Sequence, residues 1–105
     1  MPLNETNASV WYNFGEELLK NGKYNESLDA YSEAIEMNMS FSEAWNHRGV
    51  ALFDLKRFNE SMDCFNKTIE IDPKFAVAWY NKGNAFAALG KYDESYVFSS
   101  IYLFY

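Results

Sequence analysis

"AVAWYNKGNAFAALGKYDES", residues 76–95, writes out for a third time what the chain has already said twice. Trp79 is preceded by Trp45 and Trp11 at intervals of 34 residues, and these are the only tryptophans. Gly15, Gly49 and Gly83 each stand four residues after them, and Leu18, Leu52 and Phe86 three further on. Tyr24, Phe58 and Tyr92 keep the same register, as do Ser27, Ser61 and Ser95. Tyr31 and Phe65 come next, then Ile35, Ile69 and Leu103, and Pro73 closes the second unit. Unrelated residue types sharing one register make a repeat, and a period of this length belongs to stacked arrays.

Each unit reads as two helices. Trp11, Phe14, Leu18 and Asn21 fall at helical spacing, as do Trp45, Leu52 and Leu55. The second helix shows Leu28, Tyr31 and Ile35, against Met62, Phe65 and Ile69. Between them lie "NGKYNES", "LKRFNES" and "LGKYDES", where Gly22 and Gly90 can take the left-handed conformation that ends a helix. Asn25, Asn59 and Asp93 are placed to cap the second helices through a side-chain oxygen. Gly15, Gly49 and Gly83 sit mid-helix, where glycine costs about 1 kcal/mol relative to alanine. Close approach of the two helices is the expected compensation, with Ser27, Ser61 and Ser95 as the small residues facing the glycines.

The pattern resembles the tetratricopeptide repeat (TPR) family, a helix–turn–helix with W-x2-L-G-x2-Y, then A-x3-F, then P. "WYNFGEEL", "WNHRGVAL" and "WYNKGNAF" carry its first half; "YNESLDAYSEAIEMN" and "FNESMDCFNKTIEIDP" carry its second. The resemblance implies an all-α, right-handed superhelical solenoid of three TPR-like helix–turn–helix units. They divide the chain into a leader (1–7), repeat 1 (8–41), repeat 2 (42–75) and repeat 3 (76–105). Phe14, Arg48 and Lys82 depart from the family's usual leucine, and serine replaces its usual alanine at 27, 61 and 95. Met39 stands where the first repeat would have its closing proline, and the third repeat loses its aromatic at Ser99.

In proteins similar to this the first helices line a concave groove. That implies a lining of Tyr12, Glu16 and Leu19, then Asn46, Val50 and Phe53, then Tyr80, Asn84 and Ala87. Tyrosine and asparagine can hydrogen-bond an extended peptide backbone, while Leu19 and Phe53 can take an apolar anchor. The expected partner is therefore a protein or peptide. Chaperone-binding members of the family grip a C-terminal carboxylate with lysine, arginine and asparagine. By register those positions hold Tyr12, Glu16, His47, Val77 and Asn81, with no lysine or arginine, and Glu16 repels a carboxylate. A carboxylate-clamp ligand is excluded on that ground.

"YVFSSIYLFY", residues 96–105, breaks the pattern. Asp29 and Asp63 become Val97, Glu33 and Lys67 become Ile101, and Glu36 and Glu70 become Phe104. With Tyr96, Tyr102 and Leu103 on the inner face, a helix here is apolar nearly all round. A terminal repeat normally keeps a polar outer face, and a wetted patch of this kind marks association. Val97, Phe98, Ile101, Phe104 and Tyr105 are thus expected to make a homo-oligomer contact. Two other readings stand beside it. The chain is part of a longer array whose next repeat covers this face, or the segment is not helical and pairs as strand. A self-assembling structural protein, partnered only by itself, is the alternative function.

The 105 residues carry a net charge of −6 with nine Lys and Arg scattered along the chain, which disfavours nucleic acid. No stretch is apolar enough to span a membrane. Cys64 is the only cysteine, so no internal disulfide can form, and with His47 alone it makes no metal site. His47 has neither nucleophile nor acid partners in pattern, so no enzyme, and no cofactor, is expected; an interhelical hydrogen bond is. N-x-S/T occurs at Asn4, Asn7, Asn25, Asn38, Asn59 and Asn66, but "MPLNETNASVWYNF" has no basic start or apolar core of a signal peptide. A cytoplasmic location is the expectation.

Overall fold

Helices of 13 and 14 residues alternate along the chain: α1 (Ala8–Lys20), α2 (Tyr24–Met37), α3 (Ser42–Asp54), α4 (Phe58–Ile71) and α5 (Ala76–Ala88). The computed structural model describes residues 7–90, 101–103 and 105, and among these there is no strand. α1 packs on α2, α2 on α3, α3 on α4 and α4 on α5. This is an all-α solenoid, in which each element touches chiefly its sequence neighbours. Among the described residues no helix is long and apolar enough to cross a membrane.

The turns explain the tight hairpins. Gly22 has φ 75°, its N–H bonds Leu19 O (3.0 Å), and the Lys23 N–H reaches Leu18 O (2.9 Å). That pair of bonds is a Schellman turn, which satisfies the last carbonyls of α1. Lys56 (φ 66°) repeats it, with Lys56 N–H on Phe53 O and Arg57 N–H on Leu52 O, both 2.9 Å. The residue that completes each turn is already the N-cap of the next helix: Lys23 for α2 and Arg57 for α4, neither with a side-chain cap bond. Asn25 and Asn59, expected as caps, therefore lie two residues past the N-caps and are the second residues of their helices. The connection is too short to offer a separate capping position. Asp93 lies outside the described residues.

Lys56 is the one non-glycine residue with positive φ among those described. A Cβ in that region costs about 1–2 kcal/mol, partly offset because glycine loosens the unfolded chain. Lys56→Gly is therefore expected to stabilise by about 0.5–1 kcal/mol. It should raise the urea midpoint at unchanged slope, whereas Lys56→Ala should bring no such gain.

The loops between repeats are pinned by tryptophan. Trp45 Nε1–H donates to Met39 O (3.0 Å) and Trp79 Nε1–H to Pro73 O (2.7 Å). Asn38 and Asp72 each accept, through Oδ1, the N–H two residues on (3.1 Å in both). Met39 thus occupies the same turn as Pro73, so loss of the proline leaves the loop geometry intact.

Inside the first two hairpins an aromatic ring lies on a glycine. Tyr31 and Phe65 are 0% and 1% exposed. A Cβ built on Gly15 would stand 2.7 Å from Tyr31 Cε1, and one on Gly49 2.5 Å from Phe65 Cε1. Ser27 and Ser61 are fully buried too, yet they are not what faces the glycines. The hairpin folds about Gly22, so Gly15 meets a residue well along α2 rather than Ser27 near the turn. The Ser27 hydroxyl instead donates to Tyr24 O (2.7 Å). Between repeats, Trp45 packs against two clusters at once, Leu28 with Leu52 and Cys64, and Ile35 with Ala44. Arg48, in place of the family's leucine, lays its stem in the same interface and gives Nε–H to Ser32 Oγ (3.2 Å) and Nη1–H to Cys64 Sγ (3.1 Å).

At the C-terminal end, Ile101 and Tyr102 are helical and half-buried, and the Tyr102 ring is 5.2 Å from that of Tyr80. Leu103, expected on the inner face with Ile35 and Ile69, is 82% exposed. The chain is already turning at 103, so helical register no longer aims that side chain inward. Tyr105 is exposed. Val97, Phe98 and Phe104 lie outside the described residues.

Candidate functional site

α1, α3 and α5 stand in line, each touching the next only lightly because the second helices fill the space between. Among the described residues two side-chain hydrogen bonds join them, both between residues 35 apart. Tyr12 Oη lies 2.9 Å from His47 Nδ1, and Asn81 Nδ2–H donates to Asn46 Oδ1 (3.1 Å). The offset is one more than the repeat, as expected when a residue on one first helix meets the following position on the next. His47 thus makes the interhelical hydrogen bond the sequence suggested.

Around the first of these pairs is a polar cluster. Glu16, on the face of α1 one turn beyond Tyr12, accepts from the Tyr31 hydroxyl of α2 and from the Tyr12 hydroxyl (3.4 Å). His47 Nδ1 also lies 3.1 Å from Glu43 O and 3.6 Å from Glu16 Oε1. The Tyr12 ring is 5.0 Å from Phe41, 5.6 Å from His47 and 5.9 Å from Tyr31. Burial, then the Glu16 carboxylate, pushes the Tyr12 phenol above its usual range. Burial and the Glu16 hydrogen bond push Tyr31 further in the same direction. The Glu16 and His47 side chains remain about one-third exposed (32% and 31%). Chemically this is an anion ringed by aromatics, able to accept from an incoming ammonium, guanidinium or amide.

One repeat further on is a small slot of about 60 Å³ lined by Val50, Phe53, Phe65, Asn81 and Asn84. The buried Phe65 ring forms its apolar wall, and two carboxamides flank it. Phe53 is propped by Phe58, edge to face at 5.0 Å.

Of the nine groove residues named from sequence, Tyr12 and Glu16 enter the cluster, and Val50, Phe53 and Asn84 line the slot. Asn46 is only 2% exposed, with its amide oxygen taken by Asn81, so it braces α3 against α5. Leu19 packs on the Leu28–Leu52 core. Tyr80 is 46% exposed beside Tyr102, and Ala87 is half-buried. Sequence reasoning passed over Tyr31 and Phe65 as groove residues, because both read as core aromatics. Asn81 was named by register only as a clamp position, and its pairing with Asn46 across the 35-residue offset was not legible. Among the described residues no group of three His, Cys, Asp or Glu could hold a metal. Cys64 is buried, and burial pushes its thiol above the ordinary range despite Arg48.

Three family models match the chain: tetratricopeptide repeat models over residues 42–75 and 64–96, and a TPR repeat model over 15–56. No curated protein matches the sequence. Solved structures do match in shape. A MamA protein superposes with TM-score 0.90 at 25% identity, over 96% of this chain and 55% of its own. The TPR domain of Arabidopsis OM64 gives 0.90 at 25%, over 91% and 79%. The first TPR of Spaghetti (RPAP3), solved bound to the HSP90 peptide SRMEEVD, gives 0.89 at 26%, over 91% and 76%. The chain therefore spans little more than half the length of the MamA chain.

Proposed function

The chain belongs to the tetratricopeptide repeat family, and from that premise we propose that it is a non-catalytic protein-interaction module holding an extended peptide along α1, α3 and α5. The observation that carries this reading is the amide-flanked slot of Val50, Phe53, Phe65, Asn81 and Asn84 beside the Glu16 cluster. An apolar slot with carboxamides at its rim suits one peptide side chain and the backbone next to it. The RPAP3 relative shows the same fold at work on a peptide. That peptide is not a model for this chain's ligand, because Tyr12, Glu16, His47, Val77 and Asn81 supply no lysine or arginine for a terminal carboxylate. Glu16 favours instead an internal segment carrying a basic or amide-bearing residue.

The test is a display library of extended peptides anchored at both ends, so that no free carboxylate is offered. Selected peptides are expected to carry one apolar residue near a Lys, Arg, Asn or Gln, and to lose at least about tenfold in affinity to Asn84→Ala. Selection of peptides whose affinity survives Asn84→Ala removes the groove from the proposal.

Self-association through Val97, Phe98, Ile101, Phe104 and Tyr105 is a second reading, favoured by the exposure of Leu103 and Tyr105 at that end. It makes the chain its own partner. A monomer in sedimentation at tens of micromolar eliminates it.

A further inference from the structure

A second cavity, of about 500 Å³, opens on a different face of α1. Trp11, Phe14, Leu18 and the buried Ala30 make its floor, and Glu26, Asp29, Glu33 and Glu36 stand around it. Trp11, Phe14 and Leu18 point well away, in helical angle, from Tyr12, Glu16 and Leu19. This cavity is therefore separate from the peptide groove.

The molecule contains a filled copy of the same seat. One repeat along, the corresponding residues are Trp45, Arg48, Leu52 and Cys64, and they receive α2. Leu28 packs with Leu52 and Cys64, Trp45 packs on the Ile35 cluster, and Ser32 takes the Arg48 Nε–H (3.2 Å). The surface so formed accepts a helix that presents positions i, i+4 and i+7. Repetition of the fold gives the outer seat the same form.

Charge distinguishes the two seats. α2 lies on a seat that holds Arg48, whose hydrogen bonds go to Ser32 Oγ and Cys64 Sγ, and Lys67 stands at the edge of that seat by register. In the outer seat those two places are Phe14 and Glu33, and four carboxylates line it with no lysine or arginine among the lining residues. An acidic helix like α2 is thus the wrong occupant there. Residues 91–105 of another copy fit no better, since beyond Lys91 they bring Asp93 and Glu94 and no cation.

We propose that this outer seat docks a basic amphipathic helix of a partner protein, apolar at i, i+4 and i+7 and lysine- or arginine-rich on its flanks. Burying three apolar side chains over Trp11, Phe14 and Leu18 supplies affinity, and the carboxylate rim supplies selection and a fast, salt-sensitive approach.

The experiment uses the whole chain, followed by NMR, with two synthetic helical peptides of five turns. They share leucines at i, i+4 and i+7 and differ only in lysine or glutamate flanks. The lysine peptide is expected to move the Trp11 indole resonance and to bind at least about tenfold tighter than the glutamate peptide, the gap narrowing with salt. Glu33→Lys/Glu36→Lys, at a half-buried position where the next repeat already carries Lys67 and at an exposed one, should erase the preference while leaving the remaining resonances in place. Asn84→Ala should not alter it, so that failure of the groove and failure of the seat are read separately. Equal binding of both peptides, no binding of the lysine peptide, or shifts centred on Tyr12 and Asn84 overturns the proposal. So does a self-association of the chain that Glu33→Lys/Glu36→Lys abolishes, because the occupant is then a second copy.

Discussion

Gly49→Ala is expected to destabilise the chain by about 2 kcal/mol, against the gain of about 1 kcal/mol that the same change brings in a solvated helix. The reversal has one cause. The added methyl would stand 2.5 Å from Phe65 Cε1 and 2.8 Å from Cδ1, well inside van der Waals contact. Phe65 is 1% exposed and cannot swing away without displacing the packing around it. α3 and α4 must therefore separate, or the ring must leave its rotamer. Gly15→Ala against Tyr31 should behave alike, at 2.7 Å. A cycle with Phe65→Leu tests the cause. Phe65→Leu alone loses ring contacts, but in its presence Gly49→Ala should cost at least about 1 kcal/mol less, since neighbours in contact are non-additive. Urea midpoints of the four chains read it out. A higher midpoint for Gly49→Ala alone, or strict additivity, would sink the account.

What the sequence made legible was whatever the repeat itself enforces. The 34-residue register of Trp, Gly and aromatic residues was enough to place five helices and to predict that glycine permits close approach. It could not say what approaches. Ser27 and Tyr31 lie on one face of α2, and only the folded hairpin decides which of them reaches Gly15. The asparagine caps failed for a related reason. Asn25 and Asn59 have the chemistry of caps, but the Schellman turn consumes the position where a cap would sit. The groove was half legible. The family resemblance implied Tyr12 and Glu16, while the second-helix residue that holds Glu16, Tyr31, was hidden as a core aromatic. Asn46 looked like a binding amide because its partner is 35 residues away, outside any local pattern. Departures from the repeat were the richest signal. Arg48 for leucine marks the filled seat, and Phe14 with Glu33 marks the outer one.

Glu16→Gln should reveal how much one carboxylate contributes to both stability and recognition. It accepts from two phenols, Tyr31 and Tyr12, and hydrogen bonds to a charged group are worth about 1.5–3 kcal/mol each in favourable settings. Gln keeps the shape and one acceptor, so a loss of about 1–2 kcal/mol at neutral pH is expected. The pH dependence fixes the mechanism. Burial and Glu16 hold both phenols above their usual range. An acid that releases its proton later in the folded chain contributes stability that is complete below the unfolded phenol range, about pH 10, and is lost as pH rises beyond it. The buried Cys64 thiol contributes with the same sign from its own ordinary range upward. Removing the Glu16 charge lowers the folded phenol values, so the variant should lose less stability than the parent as pH climbs. The gap between them should narrow above about pH 10, and tyrosinate absorbance should appear earlier in the variant. In the groove, the same change should cut discrimination between lysine-bearing and glutamate-bearing peptides by about tenfold, chiefly through association rate. A gap that widens with pH, or a peptide preference untouched by Glu16→Gln, would mean that this carboxylate neither holds the phenols nor faces the ligand.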